Sequence, residues 1–195
     1  IAATVLGGVY YGVLYSSDMR ALTTLRAVIR IKAELGSAQA QHQLGNIYNY
    51  GRGVDKDAVE AVKWYRKAAD QGEAKAQYNL GILYAEGEGV VKSDAQALEW
   101  FLKAAEQGKA NAQFNAGLMY YQGRGVTRNA AEALAWYRKA ADQGVVEAQY
   151  NLGNAYSDGS GVSQDYEKAA EWWRKAAEQG YVDAQFNLGL SFQKG

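Results

Sequence analysis

Few residues in this sequence are able to support covalent or metal chemistry. His42 is the only histidine and there is no cysteine, so a zinc site, a cluster of histidine ligands and a cysteine nucleophile are excluded. Ser191 and Lys194 have the S-x-x-K spacing of a β-lactamase nucleophile, but the S-D-N and K-T-G segments that accompany it are absent. The G-x-G segments follow no predicted strand and do not continue as G-x-G-x-x-G. We therefore expect a non-enzymatic protein without a cofactor or a metal site.

The charge balance argues against nucleic acid as a partner. The chain carries 21 Lys plus Arg and 21 Asp plus Glu, so it lacks the broad positive field that polyanion binding requires. Its 48% hydrophobic and 22% charged residues are typical of a globular protein. Proline is absent while glycine occurs 22 times, a combination typical of short helices joined by glycine turns.

A six-residue motif, A-Q-[aromatic]-N-L-G, recurs at 76–81, 148–153 and 184–189, with looser copies at 40–45 and 112–117. Its last residue recurs every 36 positions without insertion, at Gly45, Gly81, Gly117, Gly153 and Gly189. A strict period of this length predicts a solenoid of stacked supersecondary units.

Each period is predicted to contain two helices. The first spans about 74–86 in one copy, with apolar residues at the spacing of a single buried stripe. It ends at a G-x-G-V turn, which supplies a left-handed glycine. The second helix begins after a residue whose side-chain oxygen caps an exposed N–H, namely Asp57, Ser93, Asn129 and Asp165. Lys168 replaces the Glu or Gln that completes a capping box in the other copies, so we expect the last second helix to begin with fewer satisfied groups.

The second helix has an A-x-x-W-[aromatic]-x-x-A-A face, centred on Trp64, Trp100, Trp136 and Trp172. Its small residues let helix backbones approach closely, and the aromatic pair fills the space between repeats. The opposite face is charged, which is typical of a solvated outer surface.

Taken together, A-x-x-x-L-G-x-x-Y-x-x-G-x-G-V followed by A-x-x-W-[YFW]-x-K-A-A-[DE]-Q-G resembles the Sel1-like repeat, a relative of the tetratricopeptide repeat. The resemblance covers complete units at 37–72, 73–108, 109–144 and 145–180, and a first helix at 181–195. It implies an all-α fold, a right-handed α/α superhelix (solenoid) of 36-residue helix-turn-helix repeats. It also implies a protein–protein interaction scaffold, commonly in bacterial signalling, envelope and host-interaction proteins. We therefore favour the envelope, the periplasm or secretion over the cytoplasm. The cysteine-rich branch of the family has a disulfide in each repeat, but this chain has no cysteine, so disulfides are not expected here.

Residues 1–36 fit two interpretations. Residues 1–17 contain no charge and resemble the trailing part of a signal or membrane anchor, although a bilayer span needs about 20 apolar residues. Alternatively, residues 2–10 match A-x-x-x-L-G-x-x-Y and begin a degenerate repeat whose second helix, with Leu25, ends at Gly36. The repeat is the interpretation that we favour. Its apolar character predicts contact with an upstream segment, a membrane or a second chain.

The side of the first helix that lies opposite its buried stripe is predicted to bind the partner, because first helices line the concave surface in this class of repeat. Residues there also differ most between copies. The predicted groove residues are His42, Asn46, Tyr50, Tyr78, Asn79, Ile82, Phe114, Asn115, Leu118, Tyr121, Tyr150, Asn151, Asn154, Phe186, Asn187 and Leu190, with Glu86 and Asp158 at two helix ends.

Two features of this groove each allow two interpretations. The rings at 78, 114, 150 and 186 either pack against a neighbouring repeat or form a ladder for apolar side chains of a partner. The asparagines beside them either bond neighbouring backbone or hold the backbone of an extended peptide. The first predicted function is binding of a protein or extended peptide in the groove. The alternative is assembly, in which the apolar N-terminal unit and the C-terminal half-repeat dock onto another chain or onto the rest of a longer, membrane-anchored protein.

Overall fold

The computed structural model describes residues 23–194, and their side chains up to Ser191. Within this range the regular structure is entirely helical, and short turns join the helices. No helix there has both the length and the apolar character needed to cross a bilayer. The first helix of the predicted degenerate repeat, and the signal or anchor alternative for residues 1–17, lie outside the described residues.

The described helices follow one another at regular intervals. Helix α1 is helical over residues 23–34. The later helices have 13 residues each: α2 (Ala38–Tyr50), α3 (Ala58–Asp70), α4 (Ala74–Glu86), α5 (Asp94–Glu106), α6 (Ala110–Gln122), α7 (Ala130–Asp142), α8 (Val146–Asp158), α9 (Tyr166–Glu178) and α10 (Val182–Lys194). Even-numbered helices are the first helices of the repeats and odd-numbered ones, from α3, are the second. The observed α4 has the bounds that the periodicity predicts.

The described residues divide into two compact units, one of residues 23–76 with 88–90 and one of residues 77–87 with 91–194. In the first unit, α2 packs against α3, and one cluster of buried residues contains Ala33, Ala40, Leu44, Ile47 and Trp64. In the second unit, each helix from α5 to α10 packs against the next. Alanines of its second helices are fully buried beside large rings, among them Tyr137, Trp172 and Trp173.

The second helices begin at the predicted caps. The side chain of Asp57 accepts a hydrogen bond from the Glu60 N–H at 2.9 Å, and Ser93, Asn129 and Asp165 do the same in α5, α7 and α9. The expectation of a weaker start for α9 is wrong. Lys168 donates its backbone N–H to Asp165 at 3.0 Å and its ammonium group to the same carboxylate at 2.7 Å. The Asp165 N–H donates to the Tyr156 carbonyl at 2.8 Å, as the cap residues of the other copies do to equivalent tyrosines, so α9 begins with the same groups satisfied.

The motif glycine lies where the second helix of a repeat crosses the first. A Cβ built on Gly81 would lie 2.7 Å from the ring of Phe101, and one on Gly117 equally close to the ring of Tyr137. Both distances are well inside van der Waals contact, so only glycine lets the ring approach the helix backbone this closely. This crossing holds the ring of the second helix close to the backbone of the first helix, where the ring lines a cavity between successive first helices.

Helix α1 occupies the place predicted for the second helix of the degenerate repeat, and Gly36 follows its end in the left-handed region with φ 96°. Ala33 is buried in the core of the first unit and Ile29 packs against it. Leu25 and Val28 are exposed, so α1 presents apolar side chains to its surroundings.

Candidate protein-binding surface

A buried glutamine at each repeat links the helices and holds the first helices in register. The side chain of Gln113 donates to the Ala105 carbonyl at 3.1 Å and accepts from Gln143 at 2.7 Å. Gln149 makes the same pair of contacts, with Ala141 and Gln179. Because a buried amide without partners is costly, these bonds fix how successive helices stack. No role is predicted for this glutamine from the sequence, although a second glutamine, its hydrogen-bond partner, follows 30 residues later in every complete copy.

The rings that follow the glutamines are half-buried rather than free. Tyr78 lies 5.8 Å from the Phe101 ring, Phe114 is equally far from Tyr137, and Tyr150 is 4.9 Å from Tyr181, measured between centroids. Each therefore packs against another helix and leaves only part of its surface to solvent. Phe186 differs, since 67% of its surface is exposed.

A second pattern joins the first helix to the ring 19 residues later. The Oδ1 atom of Asn46 accepts from the Tyr65 hydroxyl at 2.7 Å, and that of Asn154 accepts from the Trp173 indole at 3.0 Å. At the equivalent position Leu118 has no acceptor for the Tyr137 hydroxyl, and the Asn151 side chain only partly offsets the effect of burial on the pKa of Tyr137. Burial raises the pKa of Tyr137 well above its ordinary value. Asn46 and Asn154 thus already use one side-chain oxygen within the protein.

Three cavities lie in a row along the first helices of the second unit, one per repeat. Each opens between two successive first helices, and a buried ring of the intervening second helix forms its floor. We call them the α4–α6, α6–α8 and α8–α10 cavities, with volumes of about 140, 200 and 360 Å³. Their floors are Phe101, Tyr137 and Trp173, in that order.

The cavity walls repeat a common chemistry with local variation. One asparagine of the motif lines each cavity: Asn115, Asn151 and Asn187 in chain order. The neighbouring wall position is apolar or amide in character, occupied by Ile82, Leu118, Asn154 and Leu190. Tyr121 and Tyr166 add exposed rings to the second and third cavities. Each cavity thus combines an aromatic floor with an amide at its rim.

Charged groups are few at these walls. Arg124 lines the α4–α6 cavity but is held by Asp94, with its Nη2 atom 2.6 Å from Oδ1. This guanidinium keeps the pKa of the Asp94 carboxyl below its ordinary value. Glu86 lines the same cavity, while Asp158 lines both of the others. The surface is therefore mainly apolar and amide in character, with its acids at the ends of first helices.

The sixteen groove residues predicted from the sequence fall into three groups. The cavity walls of the second unit contain Ile82, Asn115, Leu118, Tyr121, Asn151, Asn154, Asn187 and Leu190. Five predicted residues lie on the same helices but outside the cavity walls. Four of them are half-buried, namely Tyr78, Asn79, Phe114 and Tyr150, and Phe186 is exposed. The first unit holds His42, Asn46 and Tyr50.

Those three residues of the first unit have separate surroundings. His42 stacks at 5.9 Å on Tyr65, and Tyr50 is exposed beneath the Arg52 guanidinium. Asn46 lines a cavity of about 470 Å³ between α1 and α2.

Sequence reasoning missed the cavity floors and Tyr166. Phe101, Tyr137 and Trp173 belong to the packing pattern that recurs in each second helix, and that pattern predicts only that these residues are buried in the core. The detectable signal was partial: 19 positions before the ring, Asn precedes Tyr65 and Trp173 and Ile precedes Phe101, but Leu118 precedes Tyr137 and breaks the pattern. Among the described residues no three potential ligands of the His, Cys, Asp and Glu types cluster in a way that could hold a metal ion.

Comparison with known proteins gives consistent relatives. The chain is similar to a protective antigen of uropathogenic Escherichia coli with an SLR fold (TM-score 0.84, 45% identity), covering 87% of this chain and 36% of that one. It is similar to a Sel1 repeat protein from Oxalobacter formigenes (TM-score 0.78, 37% identity), covering 88% of this chain and 73% of that one. An immunity protein from Pseudomonas aeruginosa is more distant (TM-score 0.51, 26% identity), with 86% of this chain and 66% of that one covered.

The chain thus spans about a third of the length of the Escherichia coli protein. A search of curated proteins gave no significant match. The family model of the Sel1 repeat matches residues 38–73, 74–109, 110–145, 146–181 and 182–195. Together with the 36-residue period and the helix pairs, this match means that the chain belongs to the Sel1 repeat family.

Proposed function

We propose that this protein is a non-enzymatic scaffold that binds an extended segment of a protein partner along the first helices of its second unit. The observation that carries the proposal is the row of three cavities, each with a buried ring as floor and the motif asparagine at its rim. Sel1 repeat proteins are generally protein-interaction scaffolds and typically lack enzymatic activity, which supports this assignment. The relatives named above are bacterial proteins.

The cavities suit side chains of moderate size. Burial of one Leu-sized or Phe-sized side chain contributes about 1.5–3 kcal/mol, so three occupied cavities contribute about 5–9 kcal/mol before the entropy of association is subtracted. Taken alone, this range corresponds to Kd values from about 0.2 mM to about 0.3 μM, and the entropy of association makes binding of a single segment weaker than that. Because most of that free energy comes from apolar burial, binding is expected to depend only weakly on salt.

The asparagines would set the register of the bound segment. A carboxamide can make up to four hydrogen bonds, so Asn151, which lines the α6–α8 cavity, has capacity for a peptide backbone. Asn187 donates one N–H to Asn154 at 3.3 Å and keeps its carbonyl oxygen for a partner. Since the same residue recurs at each cavity, one backbone group of the partner per repeat would be held in the same way.

The test is selection of displayed random peptides on the immobilised protein, followed by affinity measurement with the selected peptides. The double variant Leu118→Ser/Tyr121→Ala removes apolar walls of the α6–α8 cavity. Val91→Ser is the matched control, because it removes an exposed apolar side chain of the same unit that lines none of the three cavities. Circular dichroism and urea unfolding establish that both variants remain folded.

Peptides that bind the protein and the control but lose at least tenfold in affinity for the double variant would support the proposal. Peptides that bind all three proteins equally would contradict it, because the cavity walls would then play no part.

A second candidate function, assembly through α10, is favoured by a specific observation. Val182, Phe186 and Leu190 are exposed on α10, whereas Val146, Tyr150 and Asn154, their counterparts 36 residues earlier, are half-buried. This face would accept an amphipathic helix from another chain or segment. Light scattering of the protein and of a Val182→Ser/Phe186→Ser variant tests it, since loss of self-association with peptide binding kept would assign assembly to α10.

A further inference from the structure

Asp158 stands at the junction of two cavities without a cationic partner. It is the last residue of α8, it is exposed, and it lines both the α6–α8 and the α8–α10 cavities. Among the residues that the structure describes, no Lys or Arg forms an ion pair with it, in contrast to Asp94 and Asp165.

Neither helix electrostatics nor capping explains the Asp158 carboxylate at the end of α8. A negative charge in the last turn opposes the helix dipole and is unfavourable there. The end of α8 is closed without it, because the N–H groups of Gly159 and Ser160 both donate to the Ala155 carbonyl. Asp158 therefore contributes neither a cap nor an internal ion pair.

Three described cations near these cavities have other partners. Lys168 pairs with Asp165 at 2.7 Å, Arg138 donates to the Tyr156 hydroxyl at 2.6 Å, and Arg128 donates to the Tyr121 carbonyl at 3.0 Å. Within the described side chains, Asp158 therefore leaves a negative charge without an ion pair at the junction of the second and third cavities.

Aromatic residues line both of the cavities that Asp158 lines. Tyr121 lines the α6–α8 cavity, and Tyr166 and Trp173 line the α8–α10 cavity. A cation held by Asp158 would lie near these rings, where the ring quadrupole attracts positive charge. The protein uses the same contact internally, since the Lys175 ammonium group lies 3.9 Å from the centroid of Trp172.

We propose that the segment bound along the first helices carries a Lys or Arg side chain, placed at Asp158 between two apolar side chains that enter the α6–α8 and α8–α10 cavities. This inference rests on the proposed function and specifies the chemistry of its partner. The basic side chain fixes the register of the segment, because Asp158 lines two aromatic-floored cavities whereas Glu86 lines one. The equivalent positions of the other repeats are Tyr50, Glu86, Gln122 and Lys194.

The experiment uses the displayed random peptides on three proteins: the unchanged chain, Asp158→Asn and Asp142→Asn. Asp142 is the matched control because it is an exposed aspartate at the last position of α7 and lines none of the three cavities. Both variants change the net charge equally. Selected peptides are then synthesised with a fluorescent label, with and without replacement of the basic residue by Met, and measured by anisotropy.

We expect peptides selected on the unchanged chain and on Asp142→Asn to carry a Lys or Arg between two apolar residues. We expect Asp158→Asn, or the Met replacement, to weaken binding by about three- to tenfold, and the two changes together to cost no more than either alone. Cavity-dependent peptides without a basic residue, or equal affinity for Asp158→Asn, would overturn this inference and leave the proposed function standing. Failure to select any cavity-dependent peptide would overturn both.

Discussion

Replacement of Gly153 by Ala is the most direct test of how the cavity floors are held. A Cβ at Gly153 would lie 2.5 Å from the Nε1 atom of Trp173, against 3.4–4 Å for ordinary contact, so the indole must move by about 1 Å in a well-packed core. Overpacking of this kind costs about 1–3 kcal/mol. Displacement also breaks the bond from Trp173 to Asn154, worth about 0.5–1.5 kcal/mol. The better helix propensity of Ala returns about 1 kcal/mol, which leaves a net loss of about 1–3 kcal/mol.

Gly189→Ala is the matched control, because Gly189 occupies the same motif position in α10 with no atom within 4 Å of a built Cβ. Here only the helix propensity changes, so stability should stay equal or rise by up to about 1 kcal/mol. Urea unfolding followed by circular dichroism measures both variants. A Gly153→Ala protein as stable as Gly189→Ala would refute the close approach of ring to backbone.

Three further predictions follow from the buried polar groups and the perturbed ionisations. Gln113→Leu should destabilise the protein by about 1–3 kcal/mol in urea unfolding, because Gln143 and a backbone carbonyl lose their partner; an unchanged midpoint would contradict the role of the buried amides. Tyr137 has a raised pKa in the folded state, so its contribution is complete below pH 10 and lost as pH rises further. Urea midpoints measured between pH 8 and 11 should therefore fall less steeply for Tyr137→Phe, and identical slopes would argue against burial of the hydroxyl. Asp94 has a lowered pKa in the folded state, so its pair with Arg124 stabilises above the unfolded pKa of about 3.9 and is lost as pH falls below it. Since the pair is partly exposed, Asp94→Asn should cost less than about 1 kcal/mol at pH 7 and nothing at pH 2, and a larger loss at pH 2 would contradict this sign.

Local signals predicted the helices closely. Asp57 and Ser93 cap the second helices as their residue types indicate, and the G-x-G turn ends α6 with Gly123 at φ 71°. Capping and left-handed turns depend on residues within one turn of each other, so the sequence shows all the participants. The weaker start expected for α9 was the exception, because the Asp165 N–H is satisfied by the Tyr156 carbonyl of the preceding helix and not by a side chain within its own turn.

Long-range partners escaped sequence reasoning. Gln113 and Gln143 are 30 residues apart and bond only because α6 and α7 pack against each other. The ring of Tyr137 was assigned to the core, and it is buried, yet it also forms the floor of a cavity. Whether a core residue also lines a cavity depends on how far apart the neighbouring helices stand, which no periodicity reports.

The sequence alone therefore determined the period, the alternation of two helices per repeat, the family and the side of the first helix on which a partner is expected. The period and the helix alternation follow from spacing and capping, which act over a few residues and repeat identically, whereas the side of the first helix follows from the resemblance to the Sel1-like repeat. Only the tertiary structure decided which of the predicted groove residues share a cavity and which are already held by another ring or amide. It also decided that Asp158 has no internal cation among the described residues, because ion pairing depends on distances between helices that are remote in sequence.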